Sequence, residues 1–290
     1  MLEELQTTLS SLAEQVGPSV VGIGRRGRAG SGVVIDTDRI LTNAHNLSSE
    51  SVSVTFTDGT TVDGTVVGAD FDADLAVIAA TTNGNPPIER ASSDDLGFGA
   101  PVVALSNPGG RGLRVTAGYV SGTQREFRGP RGRLIRGTLE HTAPLLPGSS
   151  GGPVVDTDGK LLGVNTNRLG EGFYLAIPTG PTLDTAIDKL SKGEAAARVR
   201  LGVGVAPADV AAKLRASVGL DPVDGVLVRF VEEGSPAEIA GIREGDMITK
   251  VGDHGVTSPD DLHEALASVG STAVVEVVRV AETLTVEVGF

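Results

Sequence analysis

Residues 30–45 read GSGVVIDTDRILTNAH. Two strand-sized apolar runs lie inside this stretch, SGVVID (31–36) and RILTNA (39–44), split by an Asp-containing turn. The same pattern continues outward on both sides. SVVGIG (19–24) precedes it, and SVSVTF (51–56), TTVDGTVVGA (60–69), DLAVIAA (74–80), PVVAL (101–105), RVTAGYVSG (114–122), GPVVD (152–156), KLLGVNT (160–166) and FYLAIP (173–178) follow. Val/Ile/Thr-rich runs this short, broken by Gly, Asp, Asn and Pro, predict a sandwich or barrel. The stretch from Pro18 to Pro178 covers about 160 residues, which suits two small six-stranded barrels. The break between them should fall near Asp94 to Gly99.

Outside that region the pattern changes. In MLEELQTTLSSLAEQV, Leu2, Leu5, Leu9, Leu12 and Val16 recur at steps of three and four, which predicts a one-faced helix. The stripe either docks on its own domain or forms a seam between subunits. Residues 181–198, PTLDTAIDKLSKGEAAAR, are helix-prone and polar and read as a connector. From Arg200, strands alternate with helices around Ala206–Val218 and Ser258–Ala267, and Ser258-Pro259 makes a good helix start. The predicted organisation is an N-terminal helix (1–17), a double barrel (18–180), a helical linker (181–198) and a small α+β domain (199–290).

Composition narrows the function classes. The 290 residues carry a net charge of −13, so duplex nucleic acid and anionic membranes are poor partners. Residues 200–290 hold 7 Lys/Arg and 15 Asp/Glu, a net −8, and the remaining −5 belongs to residues 1–199. Cysteine is absent, which removes disulfides and thiolate chemistry. His45, His141, His254 and His263 are scattered without an H-E-x-x-H pattern, so neither a metal nor another cofactor is expected. No run approaches the ~18 apolar residues of a spanning helix. Glu3 and Glu4 and the lack of an apolar core segment make the N-terminus unlike a signal peptide. The compartment stays open: cytoplasmic if Met1 is the native start, extracytoplasmic or periplasmic if an export segment preceded it.

Three short motifs carry chemistry. In Pro147-Gly148-Ser149-Ser150-Gly151-Gly152-Pro153, a serine sits on a tight glycine turn. Such a turn can aim backbone N–H groups, here those of Gly148 and Ser150, at a developing oxyanion. Thr42-Asn43-Ala44-His45 follows the apolar Ile40-Leu41, and Asp74 opens the apolar run Leu75-Ala76-Val77-Ile78. A serine nucleophile needs a base, and the base needs an orienting carboxylate. The chain order His45, Asp74, Ser150 is the chymotrypsin-like order, not that of α/β-hydrolases or subtilisins. Two of the three residues fall in the first barrel and one in the second, which predicts a site in the cleft between them.

Together these motifs resemble the HtrA (DegP/Deg) serine proteases. The resemblance extends through Gly30-Ser31-Gly32-Val33-Val34-Ile35, Ser106-Asn107-Pro108-Gly109, Gly163-Val164-Asn165-Thr166 and Ala176-Ile177-Pro178. It continues in Leu201-Gly202-Val203, Gly234-Ser235-Pro236-Ala237 and Gly241-Ile242-Arg243-Glu244-Gly245-Asp246. It implies a mainly β chain, a chymotrypsin-like double β-barrel followed by a small α+β PDZ domain. Two departures stand out: Ser149 occupies the place of the family's usual Asn before the serine, and Asn46 replaces the Val usual after the histidine. The short Arg25–Ala29 loop argues against large cage assemblies, and one PDZ-like domain is visible.

The resemblance also implies roles. Pro144, six residues before Ser150, matches the pocket-floor position and carries no acid to pair with Arg or Lys, so a small or medium aliphatic residue is expected before the cleaved bond. Tyr174, Leu175 and Ala176 match the strand that pairs with substrate. Leu201-Gly202-Val203 matches a carboxylate-binding loop, with Leu262 and Leu266 on the facing helix; the plainer alternative makes both leucines core. Arg125, Arg128, Arg131, Arg133 and Arg136 fall in a loop that in this family senses the PDZ domain. The function expected is an ATP-independent serine endopeptidase for unfolded or damaged proteins, regulated by C-terminal peptides and assembled as a homo-oligomer, by resemblance a trimer. The alternative is a peptide-binding chaperone or scaffold with weak or no proteolysis.

Overall fold

The computed structural model describes residues 2–25, 28–129, 134–194 and 200–290. The chain divides into two compact units, Met1–Ala196 and Ala197–Phe290.

The first unit opens with helix α1 (Leu2–Val16). Strands β1 (Val20–Arg25), β2 (Arg28–Asp36), β3 (Arg39–Thr42), β4 (Ser51–Thr55), β5 (Thr61–Asp70) and β6 (Leu75–Ala79) follow. They close into a barrel in the order β1-β2-β3-β6-β5-β4. Strands β7 (Pro101–Ser106), β8 (Arg114–Arg128), β9 (Leu134–His141), β10 (Pro153–Val155), β11 (Leu161–Gly170) and β12 (Phe173–Pro178) close a second barrel in the order β10-β11-β12-β9-β8-β7. The predicted break at Asp94–Gly99 lies in the segment between β6 and β7. Closure removes the free edges that strands this apolar would otherwise expose.

Alternation along each strand sends side chains to two different cores. Val21, Ile23, Val34, Ile40, Val54 and Ile78 fill the first barrel, and Val102, Val120, Leu139, Val154 and Leu162 fill the second. Their sequence neighbours Val20, Val33, Leu41 and Val77 meet Val103, Leu105, Val155 and Leu161 in a third cluster that locks barrel against barrel. This clamp is what holds loops from both barrels at one cleft.

Both flanking helices join the same cluster. Leu12 and Val16 of α1 are buried in it and Leu9 packs beside them, whereas Leu5 is 46% exposed. The inner half of the predicted stripe therefore serves the protomer's own core. Helix α2 (Pro181–Ser191) is not a bare connector: Leu183, Ile187 and Leu190 recur at helical spacing and are buried in this cluster. Its backbone comes so close to β5 that a Cβ on Gly68 would lie 2.5 Å from the Leu190 carbonyl oxygen. Residues 195–198 of the predicted linker lie outside the described residues.

The second unit contains β13 (Val203–Ala206), α3 (Ala208–Ser217), β14 (Val226–Val231), α4 (Pro236–Ile239), β15 (Met247–Val251), β16 (His254–Gly255), α5 (Pro259–Ser268), β17 (Thr272–Arg279) and β18 (Glu282–Gly289). Its sheet runs β13-β14-β15-β17-β18, with β16 paired to β15. The predicted cap at α5 is present: Ser258 accepts from the Asp261 N–H at 3.1 Å, and the Asp261 carboxylate accepts from the Ser258 N–H at 2.9 Å.

Candidate active site

Strand β3 ends at Thr42, and the chain then makes a single 3-10 turn, Ala44–Asn46, that presents His45. The turn is pinned from the neighbouring strand. The Asn43 side-chain amide donates to the Asp74 carbonyl at 2.9 Å, and the His45 N–H donates to Asp74 Oδ1 at 3.1 Å. Asp74 is 1% exposed and adopts a left-handed backbone with φ of 55°. A non-glycine residue held there is strained, and such strain persists where surrounding contacts over-determine it.

That conformation turns the carboxylate toward the imidazole. Asp74 Oδ2 lies 2.8 Å from His45 Nδ1, and Thr166 Oγ1 donates to the same oxygen at 2.7 Å. The carboxylate fixes Nδ1 as the protonated nitrogen and leaves Nε2 free to take a proton. The His45 side chain keeps 27% of its surface, so the imidazole is reachable from the cleft.

The predicted nucleophile comes from the turn before β10. The Ser150 hydroxyl donates to the Thr166 carbonyl at 2.9 Å. Among the described residues it makes no hydrogen bond to His45. Thr166 thus touches both sides of the site, through its hydroxyl to Asp74 and its carbonyl to Ser150, and keeps them within one residue's reach. Catalytic hydrogen bonds often tighten only when substrate is bound. Around Ser150 the turn is fully tied: Gly151 N–H donates to Asn165 O at 2.7 Å, Gly152 N–H to Ser149 O at 3.0 Å, and Ser149 N–H to Leu146 O at 3.0 Å. Gly148 has a φ of 90°. Among the described residues, neither the Gly148 N–H nor the Ser150 N–H donates to a protein group, as an oxyanion pocket requires. Ser149 is buried and donates to Ser106 Oγ at 3.1 Å.

Residues 30–164 match the model of the trypsin-like peptidase domain, and residues 199–289 match that of the PDZ domain. Protease Do-like 1 of the chloroplast of Arabidopsis thaliana is 35% identical over 274 residues, covering 87% of this chain and 61% of the relative. Serine protease Do-like HtrA of Bacillus subtilis is 29% identical over 325 residues, covering 97% of this chain and 72% of the relative. The chain carries a trypsin-like peptidase domain followed by a PDZ domain, and its homologues are HtrA/Do-like serine proteases. Mitochondrial serine protease HTRA2 of Drosophila pseudoobscura pseudoobscura is 34% identical, and the chain spans 60% of its length. Among solved structures, the serine endoprotease from Yersinia pestis superposes with a TM-score of 0.67 at 28% identity, covering 97% of this chain and 96% of that one. The HtrA-type protease AlgW with decapeptide gives a TM-score of 0.70 at 23% identity over 97% of both chains, a likeness of fold.

Some site residues expected of an HtrA protease lie elsewhere than the sequence suggested. Tyr174, Leu175 and Ala176 sit on β12, which pairs with β11 on one edge and β9 on the other, so their backbone has no open edge for a substrate strand. Leu175 and Ala176 are fully buried, and Tyr174 stacks on His141 with ring centroids 6.0 Å apart. The edge beside Ser150 that is open belongs to β11: beyond Asn165 it pairs, among the described residues, with β12 alone. Thr166 and Asn165, which build that edge, were legible only as part of the Gly-Val-Asn-Thr match. Pro144 is exposed. Of the arginine loop, Arg131 and Arg133 lie outside the described residues. Arg125 pairs with the buried Glu140 at 3.2 Å, and Arg136 with Glu126 at 3.7 Å.

In the PDZ unit, Gly202 has a φ of 78°, and a Cβ there would lie 2.2 Å from Ser235 Cβ. No other residue fits this turn. Among the described residues, strand β13 pairs only with β14, and its other edge is open. Leu262 and Leu266 are buried in the same hydrophobic cluster as Leu201. Groups of histidine, aspartate and glutamate able to hold a metal are absent among the described residues.

Proposed function

We propose that this chain is a serine endopeptidase acting on unfolded polypeptides, with Ser150 as nucleophile, His45 as general base and Asp74 orienting the imidazole. The observation that carries the reading is the buried Asp74 carboxylate at 2.8 Å from His45 Nδ1, joined through Thr166 to the Ser150 hydroxyl. A rotamer change at Ser150 frees its hydroxyl from the Thr166 carbonyl, and His45 Nε2 accepts the proton as Oγ attacks the scissile carbonyl. The resulting oxyanion is received by the Gly148 and Ser150 N–H groups. His45 then returns the proton to the leaving amine, and water resolves the acyl-enzyme by the same route.

The substrate class follows from the open edge of β11. An extended segment can add there as a strand, which a folded domain cannot supply without local unfolding. With no acid at Pro144, a small or medium aliphatic side chain suits the pocket better than Arg or Lys. In the PDZ unit, the Leu201-Gly202-Val203 turn and the open edge of β13 suit capture of a peptide's C-terminal carboxylate. The exposed outer half of α1 supports a homo-oligomer, by family likeness a trimer. The binding-only chaperone alternative gains no support from a site whose three catalytic groups are all present.

Digestion of casein by the wild type beside Ser150→Ala, read by the intact mass of fragments, tests the reading. Cleavage after Val, Ala, Ile or Leu by the wild type alone is expected. Fragments of equal yield from both proteins would overturn it.

A further inference from the structure

Asn46 directly follows the histidine in sequence. It is 8% exposed, and its side-chain amide crosses the cleft to donate to the Ser150 carbonyl at 2.9 Å. It also donates to Thr42 Oγ1 at 3.0 Å, which in turn donates to Ser31 O at 2.6 Å. The Ser31 N–H is a second donor to the Ser150 carbonyl, at 2.8 Å.

The surrounding glycines are shaped to this clasp. A Cβ on Gly30 would lie 2.4 Å from the Asn46 side-chain carbon, and one on Gly151 would lie 2.0 Å from Ser31 O and 2.6 Å from Thr42 Oγ1. Gly30 tolerates no side chain while Asn46 stands where it does, and Gly151 tolerates none against Ser31 and Thr42, the partners of the clasp.

We infer that Asn46 is a positioning residue that couples the histidine's turn to the serine's backbone. The peptide joining Ser150 to Gly151 is held at both ends: its carbonyl by Asn46 and Ser31, its N–H by Asn165 O at 2.7 Å. That peptide plane sets the direction of the Ser150 Cα–Cβ bond. Because Asn46 is covalently next to His45, any shift of the histidine turn is carried to the serine through one hydrogen bond. The backbone donor Ser31 belongs to β2 and does not report on the histidine. A valine at this position leaves Ser150 tied to the first barrel by Ser31 alone.

The inference rests on the proposed role of Ser150. Its test compares wild type, Asn46→Val, Asn46→Ala and Ser150→Ala by the second-order rate of labelling with a fluorophosphonate. The kcat and KM for a chromogenic peptide are measured alongside, normalised to titrated active sites, together with Tm. A misplacement of about 1 Å can cost ~100-fold in rate. Both Asn46 variants should label at least about tenfold more slowly and lose kcat by a similar factor at unchanged KM. A purely structural role would lower Tm and leave the rate per titrated site unchanged. Rates within twofold of wild type in either folded variant would overturn the inference. So would failure of both variants to fold, since the residue would then be structural. Should the wild type itself not label, or Ser150→Ala label equally, the proposed function fails instead.

Discussion

Replacing His141 with glutamine is expected to reduce the acid sensitivity of the protease unit. His141 is fully buried, with Nε2 2.9 Å from Asn165 Oδ1. The Asn165 amide nitrogen donates to the Gly152 carbonyl at 3.1 Å, which fixes Oδ1 as an acceptor and Nε2 as the protonated ring nitrogen. Nδ1 is buried and has no partner among the described residues. A second proton would sit there unsolvated. Burial therefore lowers the pKa from 6.5 to about 4, against the opposing pulls of the Asn165 hydrogen bond and the Glu140 carboxylate. Between those values the unfolded chain holds a proton that the folded chain lacks, so stability falls as pH falls through this window. At about 1.4 kcal/mol per pH unit, the loss reaches about 3 kcal/mol by pH ~4. Glutamine keeps a donor for Asn165 and does not titrate. Tyr119 and Tyr174 are the only tyrosines, both lie in the first unit, and tryptophan is absent, so intrinsic fluorescence reports this unit alone. In urea unfolding at pH ~7 and ~4.5, the wild type should lose about 2–3 kcal/mol more than His141→Gln. Losses that agree within about 0.5 kcal/mol would refute the reasoning.

Other outcomes follow from the same geometry. Asp74→Asn should lower kcat by about 10⁴ with little change in KM, because a neutral amide no longer selects the imidazole tautomer that accepts from serine; peptide hydrolysis at near-normal rate would assign the partner elsewhere. Gly202→Ala should weaken binding of a peptide ending in a free-carboxylate valine by at least about tenfold in fluorescence anisotropy, since its Cβ meets Ser235. Unchanged affinity, or equal binding of the C-terminal amide, would move the peptide site. Deleting residues 1–16 removes Leu12 and Val16 from the core and should cost several kcal/mol in stability, at roughly 1.5–3 kcal/mol per buried side chain. Light scattering on the full chain should give three protomers, and a monomer would assign α1 to its own core alone.

Much of this architecture could be read directly. Strand-sized runs with turn residues between them predicted two closed barrels, because the periods are short and the punctuation is dense. His45, Asp74 and Ser150 stand out as candidates because each sits in a local motif whose chemistry demands the other two. What failed were statements about edges and partners. Tyr174, Leu175 and Ala176 form an apolar run like that of β11, and only the pairing shows which of the two strands has a free edge beside Ser150. Helix α2 looked polar overall, yet Leu183, Ile187 and Leu190 carried a buried stripe that a narrower reading of spacing could have found. Asn165, Thr166 and Asn46 act across the fold, on residues 13 to 104 positions away, and no local pattern announces such contacts.

The central claim, that Ser150 is a nucleophile activated by His45, meets its most direct test in covalent labelling. The intact chain is incubated with a fluorophosphonate, digested with trypsin, and the modified residue is located by tandem mass spectrometry, in parallel with His45→Ala. A single adduct on Ser150 is predicted, formed at least about 10³-fold more slowly when His45 is replaced. An adduct on Ser149 or elsewhere, or equal labelling without the imidazole, would contradict it.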